Sequence, residues 1–225
     1  ARSEIMLQEP LVQRTIVYHA SREALGPMTD IILARLGYHL IPPEAFERAA
    51  ADGAPTSADM LLLDERRLDE LDALQARPGL GTVPIVLLTG ARGASEVPSR
   101  VVGAVKRPAG LHDLYRLMQQ VFEDKPRSTP RVATQLRARC HRAGREWDGR
   151  VLSLSENGCL MRSPEAIPLG QRFQLDLALP RVGAVSLEAE ATYQLLPDTG
   201  LVFNAVAPQQ RETLERFVTQ TILTV

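Results

Sequence analysis

The sequence predicts an α/β region followed by a small, mainly β domain with a closing helix. Three observations predict this fold class: short apolar runs alternate with helical segments up to about residue 122, a segment containing two prolines follows, and the hydrophobic period then changes to two. A chain of 225 residues has room for one large domain or two ordinary ones. We therefore expect a first domain over 1–124, a linker over 125–131 and a second domain over 132–225.

The first region contains five apolar runs of strand length, at 15–19, 38–41, 59–64, 83–89 and 101–105. Runs that are apolar on both faces and are separated by helices are typical of a parallel sheet that is covered on both sides. Apolar residues between 111 and 122 recur at the three- and four-residue spacing of a half-buried helix. This region is thus predicted to be a doubly wound, five-stranded parallel sheet.

The second region alternates apolar and polar residues, which is the pattern of strands with one solvated face. Turn residues such as Asn157-Gly158 separate the candidate strands, which lie at 131–142, 147–154, 158–162, 171–179, 184–195 and 200–206. Short strands at this spacing predict a small antiparallel β-barrel. Pro208 begins a last helix with one apolar side, which is expected to pack on the barrel, although a dimer interface is an alternative.

Charge argues against a general binder of nucleic acids. The chain has 26 basic and 27 acidic residues, so its net charge is −1. Basic residues are concentrated between 125 and 150, but no aromatic residues interleave with them, as single-stranded nucleic-acid binding requires. We expect Arg137, Arg139 and Arg142 to lie on a solvated strand face.

Composition and motifs also argue against several other classes. The two cysteines, Cys140 and Cys159, are too few for a disulfide scaffold or a thiolate zinc site, and are expected to be buried thiols in a reducing cytoplasm. The sequence has no 18-residue apolar run and its first residues lack the apolar core of a signal peptide, so we expect a cytoplasmic protein that does not span a membrane. No nucleophile–base pair, metal-ligand spacing or glycine-rich dinucleotide motif stands out, which predicts a non-enzyme without a tightly bound cofactor.

The first region resembles bacterial response-regulator receiver domains over about 14–124. The resemblance depends on Asp-Met-Leu-Leu-Leu-Asp at 59–64, Pro-Ile-Val-Leu-Leu-Thr at 84–89, and Arg107-Pro108 before the last helix. It implies that Asp64 stands at the phosphoacceptor position and that Thr89 is a second retained landmark.

Two departures from the receiver pattern predict that this region has lost the phosphorylation chemistry. His19-Ala20 stands where the family has the acidic pair that holds Mg²⁺, a cation that requires oxygen ligands. Arg107 replaces the lysine of the family, and a planar guanidinium does not have the compact geometry of an ammonium group. The resemblance therefore implies a pseudo-receiver that docks protein partners. We expect Asp64 to cap the following loop and His19 to bond to backbone.

The second region resembles the PilZ domain, which binds the bacterial second messenger cyclic di-GMP, over about 126–222. The matching segments are Arg127-Ser-Thr-Pro-Arg131, for the Arg-x-x-x-Arg motif, and Ser153-Leu-Ser155-Glu-Asn-Gly158, for Asp/Asn-x-Ser-x-x-Gly. The resemblance implies that Arg127, Arg131, Ser153, Ser155 and Gly158 form the ligand site. Arginine forks suit phosphate oxygens and the guanine edge, and Gly158 permits a positive φ and close approach of the ligand.

Ser153 departs from the PilZ pattern, because the family has an Asp or Asn that accepts hydrogen bonds from guanine. A single hydroxyl replaces only part of that contact, which predicts an affinity lower by about 10-fold or more. The sequence thus predicts a cyclic di-GMP-responsive receiver–PilZ effector that regulates motility, pili or surface polysaccharide through protein partners. The alternative is a degenerate PilZ scaffold that does not bind the ligand. If the ligand binds, closure of the linker on it is expected to reorient the two domains.

Overall fold

The computed structural model describes residues 12–54, 57–123 and 130–224. In the first region it has four helices, α1 Thr29–Arg35, α2 Pro43–Ala51, α3 Leu71–Gln75 and α4 Leu111–Phe122. The five strands of this region are β1 Arg14–His19, β2 Tyr38–Ile41, β3 Met60–Asp64, β4 Ile85–Thr89 and β5 Val101–Lys106. All five lie within one residue or two of the predicted runs.

These five strands pair in parallel in the order β2-β1-β3-β4-β5. Successive residues of β3 contribute to opposite sides of the sheet, because Leu62 packs in one apolar cluster while Leu61 and Leu63 pack in another. The region is therefore a mixed α/β unit with apolar residues on both faces of its sheet.

The predicted alternation of strands and helices fails between β4 and β5. Residues 90–100, all of which the structure describes, contain no helix. Gly93, with φ +74°, and Pro98 both disfavour a helix in this segment. The segment instead contacts the second region, since Leu169 N donates to Ala91 O at 2.7 Å and Ala94 N donates to Gln194 Oε1 at 2.8 Å.

The second region is an antiparallel β-barrel with a C-terminal helix, as predicted. Its elements are β6 Val132–Arg142, β7 Arg145–Leu154, β8 Gly158–Arg162, β9 Arg172–Leu179, β10 Gly183–Leu195, β11 Asp198–Asn204 and α5 Pro208–Leu223. The strands pair in the order β11-β8-β7-β6-β9-β10, and an additional pairing between β10 and β11 closes the ring. Leu214, Phe217 and Val218 of α5 pack in the barrel core, as expected for the apolar side of this helix.

The two regions share one sheet. Strand β5 pairs antiparallel with β10, so that Val105 is opposite Tyr193 and Gly103 is opposite Leu195. Tyr193 is buried in the apolar cluster of the first region, and Leu160 of β8 packs against the same cluster. Pairing with β10 satisfies the backbone groups that β5 would otherwise expose at a sheet edge.

This junction changes two expectations. The parallel sheet is not a self-contained five-stranded unit, because the described strands form a single eleven-stranded sheet. Reorientation of the two regions about a linker is also at odds with the structure, since rotation would break the β5–β10 ladder and the shared core. The boundaries at 124 and 131 stay predictions.

Candidate functional site

A contact at the start of the barrel joins the two segments of the PilZ-like pattern. Arg131 directly precedes β6, and its Nη1 donates to Ser153 Oγ of β7 at 3.1 Å. The β6–β7 pairing positions both groups, because Ala133 lies opposite Ser153. Arg127, the other predicted arginine of this site, lies outside the described residues.

Ser155 holds the turn between β7 and β8. Its side chain is buried, and its hydroxyl donates to Gly158 O at 3.2 Å and accepts from Asn157 N at 3.4 Å. The backbone N–H of Ser155 also donates to Gly158 O, at 2.9 Å. The hydroxyl therefore stabilises the turn that follows Ser153, and direct contact between Ser155 and a ligand stays a prediction.

Gly158 does not adopt the positive φ that a glycine permits. Its φ angle lies outside the left-handed region, so a glycine is required at position 158 for a different reason. A β-carbon at this position would overlap Leu201 O of the neighbouring strand β11. Close approach of β11, which is also tied to the turn by Phe203 N donating to Asn157 O at 2.9 Å, explains this glycine.

Sequence reasoning missed a row of three arginines on the outer face of the barrel. Arg150 of β7 lies opposite Arg137 of β6 on one side and opposite Arg162 of β8 on the other. All three are exposed and line a groove of about 900 Å³. The sequence shows three basic residues in strands, but their alignment depends on the register of two hairpins.

Two of these arginines have carboxylate partners. Arg137 Nη2 donates to Asp148 Oδ2 at 2.7 Å, and Arg162 Nε donates to Asp198 Oδ1 at 2.8 Å. The expectation that Arg137, Arg139 and Arg142 lie on a solvated face is confirmed.

Asp64, which the sequence predicts at a phosphoacceptor position, is buried at the end of β3 and faces two guanidinium groups. Its Oδ1 accepts from Arg66 N at 2.9 Å, which confirms that the carboxylate caps the following loop. Its Oδ2 accepts from Arg66 Nη2 at 2.7 Å, and Arg107 Nη1 donates to Oδ1 at 3.2 Å. The side-chain hydrogen bonds from Arg66 are the largest cause that lowers the pKa of Asp64, and the charge of Arg107 adds to it.

The surroundings of Asp64 are suited to an ion-pair network rather than to a divalent cation. Arg107 also donates to Leu88 O at 2.6 Å and to Glu65 Oε1 at 3.1 Å. The hydroxyl of Thr89 donates to the backbone carbonyl of the next residue, Gly90, at 2.8 Å. Two positive groups on one carboxylate repel a metal ion and occupy the oxygens that a phosphoryl transfer requires.

His19, at the end of β1, has a side-chain partner. Its Nε2 lies 2.5 Å from Glu70 Oε2, so the expectation of a backbone partner is wrong. The short helical segment after Asp64 carries Glu70 to this position, which sequence spacing does not reveal. Within the described ranges, no three His, Cys, Asp or Glu side chains are grouped so that they could hold a metal ion.

Both cysteines are buried in the barrel core, as predicted. Burial raises the pKa of the Cys140 thiol and of the Cys159 thiol to about 12. Neither thiol is therefore suited to nucleophilic chemistry near neutral pH.

Of the helices in the described part of the chain, none has the length and hydropathy needed to cross a bilayer.

Comparisons with known proteins find similarity to the C-terminal half of the chain. Residues 125–220 match the model of the PilZ domain. The chain is similar to the cyclic di-GMP-bound PilZ domain of YcgR from Escherichia coli, at 16% identity and a TM-score of 0.38, covering 44% of this chain and 94% of that one. No curated protein matches the chain.

Two longer proteins are also similar to this half. The inhibitor of motility MotI/DgrA of Bacillus subtilis is 14% identical with a TM-score of 0.39, over 45% of this chain and 53% of that one. The MrkH–cyclic di-GMP complex of K. pneumonia is 15% identical with a TM-score of 0.37, over 45% and 54%. The chain thus spans about half the length of these two structures. Its C-terminal half, over residues 125–220, is a PilZ domain.

Proposed function

We propose that the chain is a non-enzymatic bacterial signalling adaptor that responds to cyclic di-GMP in the cytoplasm. The contact between Arg131 Nη1 and Ser153 Oγ is the single observation that carries this proposal, because it brings the linker arginine of a PilZ domain onto the strand that bears the second part of the motif. In this proposal, which the PilZ domain supports, the adaptor regulates motility, pili or surface polysaccharide through protein partners.

The donors of Arg131 suit a phosphate or guanine ligand. A guanidinium has five N–H donors, and one of those of Arg131 is engaged, by Ser153, among the described residues. The remaining donors can grip the ligand in the forked geometry that arginine uses for phosphate oxygens and for the guanine O6/N7 edge. Arg127, four residues earlier in the linker, supplies a second fork, and Ser153 supplies a partial substitute for the missing carboxylate or amide.

The N-terminal half acts in this proposal as a pseudo-receiver. The parallel order β2-β1-β3-β4-β5 and the position of Asp64 at the end of β3 support the assignment. The ion pairs of Asp64 with Arg66 and Arg107 support loss of phosphorylation. Because β5 is paired with the barrel, partner proteins use the faces of this half that the barrel leaves open.

Calorimetric titration of the intact protein with cyclic di-GMP tests the proposal. We expect micromolar binding that Arg131→Ala abolishes, that Ser153→Asp strengthens by about 10-fold, and that the control Arg181→Ala leaves unchanged. Arg181 is exposed on the turn between β9 and β10, so the control removes the same charge elsewhere. Absence of binding at hundreds of micromolar would favour the alternative, a PilZ scaffold that acts only through proteins.

Incubation with acetyl phosphate and Mg²⁺ tests the pseudo-receiver separately. We expect no gain of mass at Asp64, because arginines cover its carboxylate. A stable phosphoryl adduct at this residue would instead assign a working receiver to the N-terminal half.

A further inference from the structure

The row of Arg137, Arg150 and Arg162 is an unfavourable arrangement unless an anion neutralises it. Residues directly opposite each other on neighbouring strands have β-carbons about 5 Å apart, and like charges in such pairs destabilise a sheet. Asp148 neutralises one end of the row and Asp198 the other. The side chain of Arg150, at the centre, has neither a hydrogen bond nor an ion pair with any of residues 12–54, 57–123 or 130–224.

The shape around Arg150 is that of a binding groove. The row lines a concavity of about 900 Å³ that also has apolar walls, made by Leu152 and by the prolines at 164 and 197. Small-molecule sites combine apolar walls with a few converging polar groups in this way. The volume lies within the range of pockets that hold ligands of nucleotide size.

Strand β7 connects the groove with the contact of Arg131 with Ser153, because it carries both Arg150 and Ser153. Arg150 and Ser153 are three residues apart on this strand, which is a separation of about 10 Å. Side chains of a regular strand alternate between its faces, but the irregularity between Val151 and Ser153 offsets this alternation, so both Arg150 and Ser153 lie on the outer side of the barrel. Leu152, between them, lines the groove. A ligand with two phosphate groups can therefore contact Arg131 at one end and Arg150 at the other.

We propose that Arg150 is a phosphate-binding residue, and that the groove holds a phosphate group of the nucleotide whose other part contacts Arg131 and Ser153; the identity of this nucleotide rests on the proposed function. The free fork of Arg150 binds two phosphate oxygens, while Arg137 and Arg162 keep their carboxylate partners and add positive potential. The apolar walls at Leu152 and Pro164 pack against a base or ribose.

A structural role for Arg150 makes a different prediction about stability. If Arg150 serves binding, its replacement by glutamine relieves repulsion within the row, and the melting temperature of the free protein stays the same or rises. If Arg150 holds the barrel together, the same substitution lowers it.

Two titrations of the intact protein test the proposal, one with cyclic di-GMP and one with inorganic pyrophosphate. We expect Arg150→Gln to weaken cyclic di-GMP binding by about 10-fold or more, while Arg181→Gln, the matched control outside the groove, leaves it unchanged. We also expect pyrophosphate to shift the Nε–Hε NMR signal of Arg150 in a saturable way, and not that of Arg181.

The two probes separate this inference from the proposed function. If cyclic di-GMP does not bind but pyrophosphate shifts Arg150 saturably, the anion site is supported and the proposed ligand is rejected. If cyclic di-GMP binds equally well to the wild type and to Arg150→Gln, or if pyrophosphate leaves the Arg150 signal unchanged, the phosphate-binding role is overturned. A fall in the melting temperature of free Arg150→Gln, with unchanged binding, assigns Arg150 to the fold instead.

Discussion

The ring of Tyr193 lies directly against Gly200 on the neighbouring strand. The two residues are paired between β10 and β11, and a β-carbon at position 200 would overlap the ring. Tyr193 is also opposite Val105 of β5, and its hydroxyl accepts from Gln120 Nε2 of α4. One side chain of the barrel thus packs between the two halves of the chain, at a place where only glycine leaves room for it.

Gly200→Ala should therefore destabilise both halves together. The added methyl group displaces a buried ring, and overpacking of this kind costs about 1–3 kcal/mol. The fluorescence of Trp147 reports on the barrel, and hydrogen exchange of β1 and β3 amides reports on the parallel sheet. We expect both probes to show the same loss in the free energy of unfolding.

Gly81→Ala is the matched control for this substitution. Gly81 is exposed, has an ordinary φ, and a β-carbon there meets only a backbone oxygen at van der Waals distance. We expect a change of less than about 0.5 kcal/mol. A loss in Gly200→Ala that the barrel probe records and the β1–β3 amides do not would contradict joint unfolding of the two halves.

The sequence predicts the strands closely but not how the two halves meet. Short runs bounded by turn residues locate β2 and β8 with the bounds that the structure has, because both signals are local in the sequence. The partner of an edge strand is not local, so the pairing of β5 with β10 could not be read from periodicity. Leu160, an apolar residue on the outer side of β8, was an available sign of a covered surface.

In the candidate site, too, the sequence predicts local features but not contacts between strands. The motif identifies Arg131 and Ser153, because a fixed spacing of residue types is visible in a sequence. The alignment of Arg150 with Arg137 and Arg162 is not visible in a sequence, since it depends on the exact register of β6, β7 and β8. The irregularity of β7 between Val151 and Ser153 makes this register harder to predict.

Arg107 should matter more for stability than Arg66, although both bind Asp64. Arg107 is mostly buried and also binds Glu65 and Leu88 O, whereas Arg66 is largely exposed. Arg107→Ala removes hydrogen bonds to Asp64, Glu65 and Leu88 O from a mostly buried position, so it is expected to cost about 2–3 kcal/mol. Arg66→Ala retains the backbone hydrogen bond to Asp64 and removes a solvated side chain, so it should cost less. Urea denaturation measures both losses. Equal losses would show that Arg107 has no additional role.

Asp64 should make the stability of the protein depend on pH in the acid range. Its hydrogen bonds with Arg66 lower its pKa in the folded state below the usual value of 3.8. The stabilisation is therefore complete above that value and is lost as the pH falls through the lower folded-state pKa. We expect the difference in unfolding free energy between wild type and Asp64→Asn to be constant from about pH 7 to 5 and to shrink below about pH 3.8. A difference that persists unchanged to about pH 2 would argue that the charge of Asp64 does not stabilise the fold.

The two thiols should react only when the barrel unfolds. Cys140 and Cys159 are fully buried, and burial raises the pKa of each thiol to about 12, so both access and ionisation oppose reaction with a disulfide reagent near neutral pH. We expect native labelling to be slower than labelling in denaturant by a factor close to the unfolding equilibrium constant, and Gly200→Ala to speed it up by about 5- to 160-fold. Ser95→Cys, at an exposed position, should react at once with one equivalent and serve as the control. Rapid native labelling of Cys140 or Cys159 would mean that the barrel opens locally at β6 or β8, and the shared core would then not protect the strands that carry the site.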